Sequence, residues 1–231
     1  MKFGIIGAMD LETKLLIEEM ENAAETKIAG MLFYSGLLKK VEVVVVTSGV
    51  GKVNAAACTQ ILITHFGVDR LINTGVSGAI HHELEVGDIV ISTDCMEHDF
   101  DATVFGYKYG EIPRLACSVF TADAHLVDLA LKASQKEVTL HKTMKGRIVS
   151  GDQFVSSMER KDFILTHFDA ATTEMEGAAI AHVAAINNVP FVIIRAMSDK
   201  ADGSAHVSFD EFAIEAAHNS SHIVMNMLKH L

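Results

Sequence analysis

The stretch Phe191-Val192-Ile193-Ile194-Arg195-Ala196-Met197-Ser198-Asp199 begins with four apolar residues and then turns polar. Val43-Val44-Val45-Val46 is a second run of the same kind, and Thr47-Ser48-Gly49 follows it. A half-buried strand alternates apolar and polar residues. An unbroken apolar run marks a strand covered on both faces. Residues 2–6, 31–38, 71–74, 88–93, 146–150 and 170–174 add further short β-rich runs. Between these runs lie Ala/Leu-rich stretches at 11–23, 52–66, 122–134 and 176–186 with helical character. The alternation predicts an α/β fold: a three-layer α/β/α sandwich around a mixed, largely buried central sheet. No linker, repeat or low-complexity tract interrupts it, so residues 1–231 are expected to form one domain.

A last helix is expected to open at Ser208. Ser208-Phe209-Asp210-Glu211 has the spacing of a capping box. Phe212, Ala216, Ile223, Met227 and Leu231 would form its apolar stripe.

Composition removes several function classes. The chain has 231 residues, 49% hydrophobic and 21% charged, with only two prolines. That is a folded composition rather than a disordered one. The formal charge of −11 argues against a general nucleic-acid binder or a polybasic membrane binder, because both need clustered Lys and Arg. Cys58, Cys95 and Cys117 are widely spaced and contain no CxxC, which argues against a zinc ribbon or disulfide scaffold. The start, Met1 to Gly7, is too short an apolar stretch for a signal peptide. No run approaches the ~18 apolar residues of a membrane span. A cytoplasmic protein is expected.

In open α/β folds ligands bind at the carboxyl ends of strands. Six junctions here carry candidate chemistry, five of them pairing glycine with carboxylates or polar residues. They are Gly7-Ala8-Met9-Asp10-Leu11-Glu12, Ser48-Gly49-Val50-Gly51-Lys52, Gly75-Val76-Ser77-Gly78-Ala79, Ser150-Gly151-Asp152-Gln153-Phe154-Val155, Glu174-Met175-Glu176-Gly177 and Arg195 to Asp199. Glycine lets backbone approach a ligand, and carboxylates supply acid–base chemistry or bind hydroxyls. Each cluster alone reads more readily as a tight turn; six on one sheet edge point to a site. Gly49-Val50-Gly51-Lys52-Val53 is not a P-loop, which needs GxxxxGK followed by Ser or Thr. The first junction lacks GxGxxG, so a dinucleotide site is not expected. Glu97-His98-Asp99-Phe100-Asp101 has metal-like spacing but no partner motif, and is expected to be an exposed polar loop. No GxSxG elbow is present. Neither a metal nor another cofactor is expected.

Taken in order, the junctions resemble the 5'-methylthioadenosine/S-adenosylhomocysteine nucleosidases of the nucleoside phosphorylase family. The matching stretches are 2–12 (KFGIIGAMDLE), 48–53 (SGVGKV), 72–79 (INTGVSGA), 86–92 (VGDIVIS), 105–113 (FGYKYGEIP), 148–154 (IVSGDQF), 174–182 (EMEGAAIAH), 190–199 (PFVIIRAMSD) and 208–212 (SFDEF). They are collinear over nearly the whole chain. The resemblance implies a nucleoside phosphorylase-like fold and hydrolytic release of adenine from the two thio-nucleosides. Breaking a ribosyl–adenine bond passes through an oxocarbenium-like state, as in glycoside hydrolysis. It needs an acid for the leaving base and a carboxylate to activate water.

The resemblance assigns the acid to Asp199, with Ser198 orienting it, and the base to Glu12, with Arg195 helping to place Glu12 and the water. Read without it, Asp199 is a turn residue, Glu12 a first-turn helix acid and Arg195 an ion-pair partner. Glu176 is implied as the ribose ligand, beside Met175, with Glu174 supporting it. Phe154 is implied to stack on adenine, Val155 to read the purine edge through its backbone, and Gly78 to touch the base. Met9, Val50 and Phe209 would line the pocket for the 5'-thio substituent. Phe105, Tyr107 and Pro113 match a segment that completes the neighbouring site of a homodimer. The family often places Ser directly after the first glycine of 75–79. Here Val76 stands there and Ser77 follows, so the serine's role is not carried over.

Phosphorylases of this fold hold phosphate with arginines, and neither 7–12 nor 75–79 contains one. Hydrolysis is therefore expected. The alternatives are another purine nucleoside-cleaving relative, a phosphorylase or a futalosine-type hydrolase, and a catalytically inert nucleoside binder.

Overall fold

A computed structural model describes residues 1–231, the Val207 side chain excepted. In chain order the elements are β1 (Lys2–Gly7), α1 (Asp10–Glu18), β2 (Glu21–Ile28), β3 (Met31–Leu38), β4 (Val41–Thr47), α2 (Lys52–Thr64), β5 (Arg70–Ala79) and β6 (Ile89–Glu97). A short 3-10 turn, Thr103–Phe105, precedes β7 (Phe120–Thr121), α3 (Ala124–Glu137), β8 (Thr143–Ser150), α4 (Met158–Phe168), β9 (Thr172–Glu174), α5 (Gly177–Ile186), β10 (Phe191–Asp199) and α6 (Ala205–Lys229).

The sheet runs β10-β6-β8-β9-β5-β1-β4-β3-β2, with β7 on β6. Parallel pairs join β1 to β4 and β5, and β5 to β10. Antiparallel pairs join β3 to β2 and β4, β10 to β6, and β5 to β9. The sheet is thus mixed, as expected. Because β5 pairs with both β9 and β10, one half of the sheet closes on itself through β10, β6, β8 and β9. Helices α1, α3 and α6 pack on one face, and α2 and α5 on the other. Val43–Val46 and Phe191–Ile194 are fully or almost fully buried, as their unbroken apolar runs require.

The structure corrects four local expectations. The helix expected over 11–23 stops at Glu18, and Glu21–Ile28 is a strand paired with β3. Its alanines favour helix, but sheet pairing overrides that propensity, and Asn22 at φ 55° sits inside the strand where its register with β3 shifts. The last helix opens at Ala205, not Ser208, so the Ser208–Glu211 capping box does not form. The Ser208 N–H instead donates to the Ser204 carbonyl, one turn back. Ala216, Ile223 and Met227 of the expected stripe are buried, but Leu231 lies beyond the helix and is exposed. Residues 75–79 are not a loop but the last part of β5. Helix α4 was not anticipated, although Ser157 caps it by accepting the Arg160 N–H at 3.2 Å. The three cysteines are free thiols, with Cys58 and Cys95 buried. Among the described residues no helix is long and apolar enough to cross a membrane.

Candidate active site

Glu12 lies in the first turn of α1 and reaches back across it. One carboxylate oxygen accepts the N–H groups of Ala8 (2.6 Å) and Met9 (3.0 Å), and the other accepts Val76 N–H at 3.0 Å. The side chain thus ties the β1–α1 junction to β5. It is buried, and burial pushes its pKa above the ordinary 4.5, opposed by Arg195 and by these three donors. Gly75 is required beside it: a Cβ there would come within 2.6 Å of Arg195 Nη1 and closer still to Glu12 Oε1.

Arg195 projects from β10 and is buried. Its Nη2 donates to Asn73 Oδ1 at 2.6 Å and to Glu174, and lies 3.9 Å from Glu176 Oε2. Glu174 also receives Ser150 Oγ, Glu176 N–H (3.0 Å) and Gly177 N–H (2.8 Å). That donor set holds its pKa below 4.5 against the cost of burial, with Arg195 the largest opposing influence. Glu176, one step before α5, has a single backbone donor, the Gly51 N–H at 2.8 Å. Burial first, then the charge of Glu174, pushes it up to about 8. Two glutamates two residues apart therefore have opposite characters. Glu174 is a fixed anion that anchors Arg195 and the α5 N-terminus, and Glu176 is poised to be neutral.

Asp199 ends β10, where its register with β5 slips between Met197 and Asp199. Such a bulge re-aims a side chain. Asp199 Oδ2 accepts Ser198 Oγ–H at 2.9 Å, and Oδ1 accepts Ala201 N–H at 2.8 Å. Burial raises its pKa above the ordinary 3.8, opposed by both donors. A Cβ on Gly78 would lie 2.7 Å from Asp199 Oδ1, so only glycine leaves the carboxyl group its place.

A cavity of about 220 Å³ opens among these groups. Glu12, Glu176, Ser198, Asp199 and Gly78 line it. So do Met9, Val50, Phe154, Val155, Met175 and Phe209. Phe154 is 49% exposed and meets Phe209 edge to face, with ring centroids 5.9 Å apart. Of the expected site residues, Arg195 stands behind the wall, against Glu174, rather than on it. Phe105, Tyr107 and Pro113 do not line the cavity of this chain. Phe105 is 79% exposed.

Ala8, Val76, Ser77, Gln153, Thr173 and Glu174 also line the cavity. The junction readings contained five of these without giving them a lining role. Thr173, inside β9, carried no local signal. Val76 serves Glu12 through its backbone, which any residue supplies. The Ser77 hydroxyl lies 2.7 Å from Thr172 Oγ1 and 3.7 Å from Met197 Sδ.

The 97–101 segment is not the exposed loop expected, since Glu97 and His98 are buried. Lys52 Nζ sits 2.9 Å from Glu97 and 2.6 Å from Asp99, and this pairing draws the segment inward. Among the described residues no group of three His, Cys, Asp or Glu is arranged to hold a metal ion.

The family model of the phosphorylase superfamily matches residues 2–229. A 5'-methylthioadenosine/S-adenosylhomocysteine nucleosidase of Staphylococcus carnosus is 46% identical over 229 residues, covering 99% of each chain. The crystal structure of such a nucleosidase from Neisseria meningitidis, in complex with methylthio-immucillin-A, is 42% identical. It superposes with a TM-score of 0.95 over 100% of this chain and 99% of its own. A futalosine hydrolase of Helicobacter pylori shares the fold at a TM-score of 0.94 and 33% identity, over 100% of this chain and 98% of its own. By this agreement along its whole length, the chain belongs to the phosphorylase superfamily and, within it, to the 5'-methylthioadenosine/S-adenosylhomocysteine nucleosidases.

Proposed function

We propose that this chain hydrolyses the N-ribosidic bond of 5'-methylthioadenosine and S-adenosylhomocysteine, releasing adenine and the thioribose product. One observation carries the reading: among the described residues, the ionisable side chains lining the cavity are Glu12, Glu174, Glu176 and Asp199, all carboxyl groups and none a cation. A phosphate dianion would meet no cation on that wall and would be repelled by its ionised carboxylates, the fixed anion Glu174 above all. A sugar that develops positive charge would be stabilised, and water is left as the nucleophile.

Asp199 is the acid. Burial keeps its proton available for adenine N7, and Ser198 and Ala201 hold the group in place. Glu12 is the base for water, and its raised pKa makes it a stronger proton acceptor than a free carboxylate. Glu176 holds the ribose hydroxyls, and Met175 packs by the sugar. Phe154 stacks on adenine, Val155 reads its edge and Gly78 gives backbone contact. Met9, Val50 and Phe209 give the 5'-thio group an apolar seat. Arg195 acts on Glu12 through its charge. Residues 1–231 act as one nucleosidase domain. In a homodimer, the exposed Phe105 with Tyr107 and Pro113 completes the neighbouring site.

The likeness to futalosine hydrolase supports a second reading, a futalosine-type hydrolase with the same acid and base. Release of the free base, adenine from 5'-methylthioadenosine and S-adenosylhomocysteine and hypoxanthine from futalosine and inosine, is measured with and without phosphate. Release from the two thio-nucleosides in phosphate-free buffer is expected. A strict phosphate requirement overturns the hydrolase assignment, and turnover of futalosine alone selects the second reading.

A further inference from the structure

The Glu97–Asp99 segment, buried at Glu97 and His98 and half-buried at Asp99, takes no part in the chemistry above, yet it joins the two walls of the cavity. Lys52 Nζ donates to Asp99 Oδ1 at 2.6 Å. The other Asp99 oxygen accepts Asp152 N–H at 2.9 Å. Asp152 Oδ1 in turn accepts the backbone N–H of Lys52 at 2.8 Å. Three residues thus close a ring of hydrogen bonds. Each arm of the ring continues directly into the site. Gly51, the residue before Lys52, gives its N–H to Glu176 Oε1 at 2.8 Å. Gln153, Phe154 and Val155, the residues after Asp152, form the opposite wall.

Local physics explains why the ring is needed. Gly51 precedes α2 at φ 97°, a conformation that glycine tolerates, but it has no side chain with which to cap the helix. Asp152 supplies the missing carboxylate from across the cavity, at the helix end that favours negative charge. The ring is anchored from outside as well. Glu97 Oε2 accepts Lys52 Nζ at 2.9 Å, and Glu97 Oε1 lies 3.1 Å from His182 Nδ1 on α5. The His98 ring packs on Gly151, where a Cβ would come within 2.6 Å of Nε2.

We infer that Lys52, Asp99 and Asp152 are positioning residues: their ring holds the Gly51 N–H on Glu176 and fixes the ribose-binding carboxylate relative to the Phe154 wall. The inference rests on the assignment of Glu176 to the ribose. Loss of one such charge-assisted hydrogen bond corresponds to about tenfold in binding. Its signature is selective. It weakens recognition of the sugar hydroxyls and leaves the acid at Asp199 untouched.

The experiment measures kcat and KM for adenine release from 5'-methylthioadenosine and from its 2'-deoxy and 3'-deoxy analogues. Asp152→Ala is expected to raise KM for the ribonucleoside about tenfold. It should raise KM far less for the deoxy analogues, each of which lacks a hydroxyl that Glu176 holds, and change kcat little. Asp152→Asn keeps an oxygen for the Lys52 N–H and should restore most of the loss. Lys52→Met breaks the ring from its other side and gives the same pattern, including where Asp152→Ala folds poorly; thermal melts of each variant identify that case. Equal KM increases for ribo- and deoxy-substrates, or unchanged KM, overturn the positioning role. Wild-type protein that releases no adenine overturns the nucleosidase reading and the positioning role with it.

Discussion

Ser198 donates its hydroxyl hydrogen to Asp199 Oδ2 at 2.9 Å, so the side chain that carries the acid is oriented by its immediate neighbour in the chain. This is possible only because β10 slips register against β5 at this point. A regular strand would send the two side chains to opposite faces. Asp199→Asn removes the proton and should abolish turnover while substrate still binds. Ser198→Ala should slow turnover about tenfold. It also removes a bond that lowers the Asp199 pKa, so the basic limb of the rate profile should move to higher pH. A limb that moves to lower pH would contradict the assignment. Steady-state kinetics across pH gives both results.

Two glycines separate the acid from the base in a second way. A methyl group on Gly75 would strike Glu12 and Arg195, and one on Gly78 would strike Asp199 and, at 3.0 Å, Ala201 Cβ. Both Gly75→Ala and Gly78→Ala should lower kcat by roughly a hundredfold or more, the order of effect of displacing a catalytic acid or base. The pH profiles should differ: Gly75→Ala disturbs the limb that reports the base, and Gly78→Ala the limb that reports the acid. Identical profiles would argue against the division of roles.

The strand ends were legible because buried strands leave unbroken apolar runs, and the residues after them carry glycine, a carboxylate or both. Glu12, Glu176 and Asp199 lie at such ends, but their roles are implied only by the family resemblance; without it Glu12 reads as a first-turn helix acid and Asp199 as a turn residue. What was hidden depends on non-local pairing. Glu21–Ile28 has helix-favouring alanines and becomes a strand only because β3 is there to pair with it. Residues 75–79 look like a glycine loop, yet pairing to β9 and β10 holds them extended. Asp99 and Lys52 are distant in sequence, and no local pattern announces that the Lys52 ammonium pairs with both Glu97 and Asp99.

Glu174 and Arg195 form an ion pair that is buried on both sides. Removing one partner from such a pair leaves the other charge buried and costs about 3–5 kcal/mol. Glu174→Gln keeps the shape but loses the charge that Arg195 needs, so it should lower the urea midpoint at unchanged slope. Catalysis should fall as well, since Arg195 would then turn toward Glu12 and Glu176. A variant as stable as the wild type would show that the pair is solvated in solution.

Glu176 offers the sharpest pH test. Its pKa in the folded protein is about 8 against an ordinary 4.5, because burial and the Glu174 charge both oppose ionisation. A carboxylate with a raised folded pKa favours the folded state fully below its unfolded value. That contribution is lost as pH rises toward the folded value. The stability of the wild type should therefore decline between about pH 4.5 and 8 relative to Glu176→Gln, which cannot ionise but keeps an oxygen for the Gly51 N–H. The variant should match the wild type at the acid end. Above pH 8 it should be more stable on the order of a few kcal/mol. Thermal melts of the ligand-free proteins across this range measure the gap, and a gap that is constant with pH would show that Glu176 ionises in the fold as readily as it does in water.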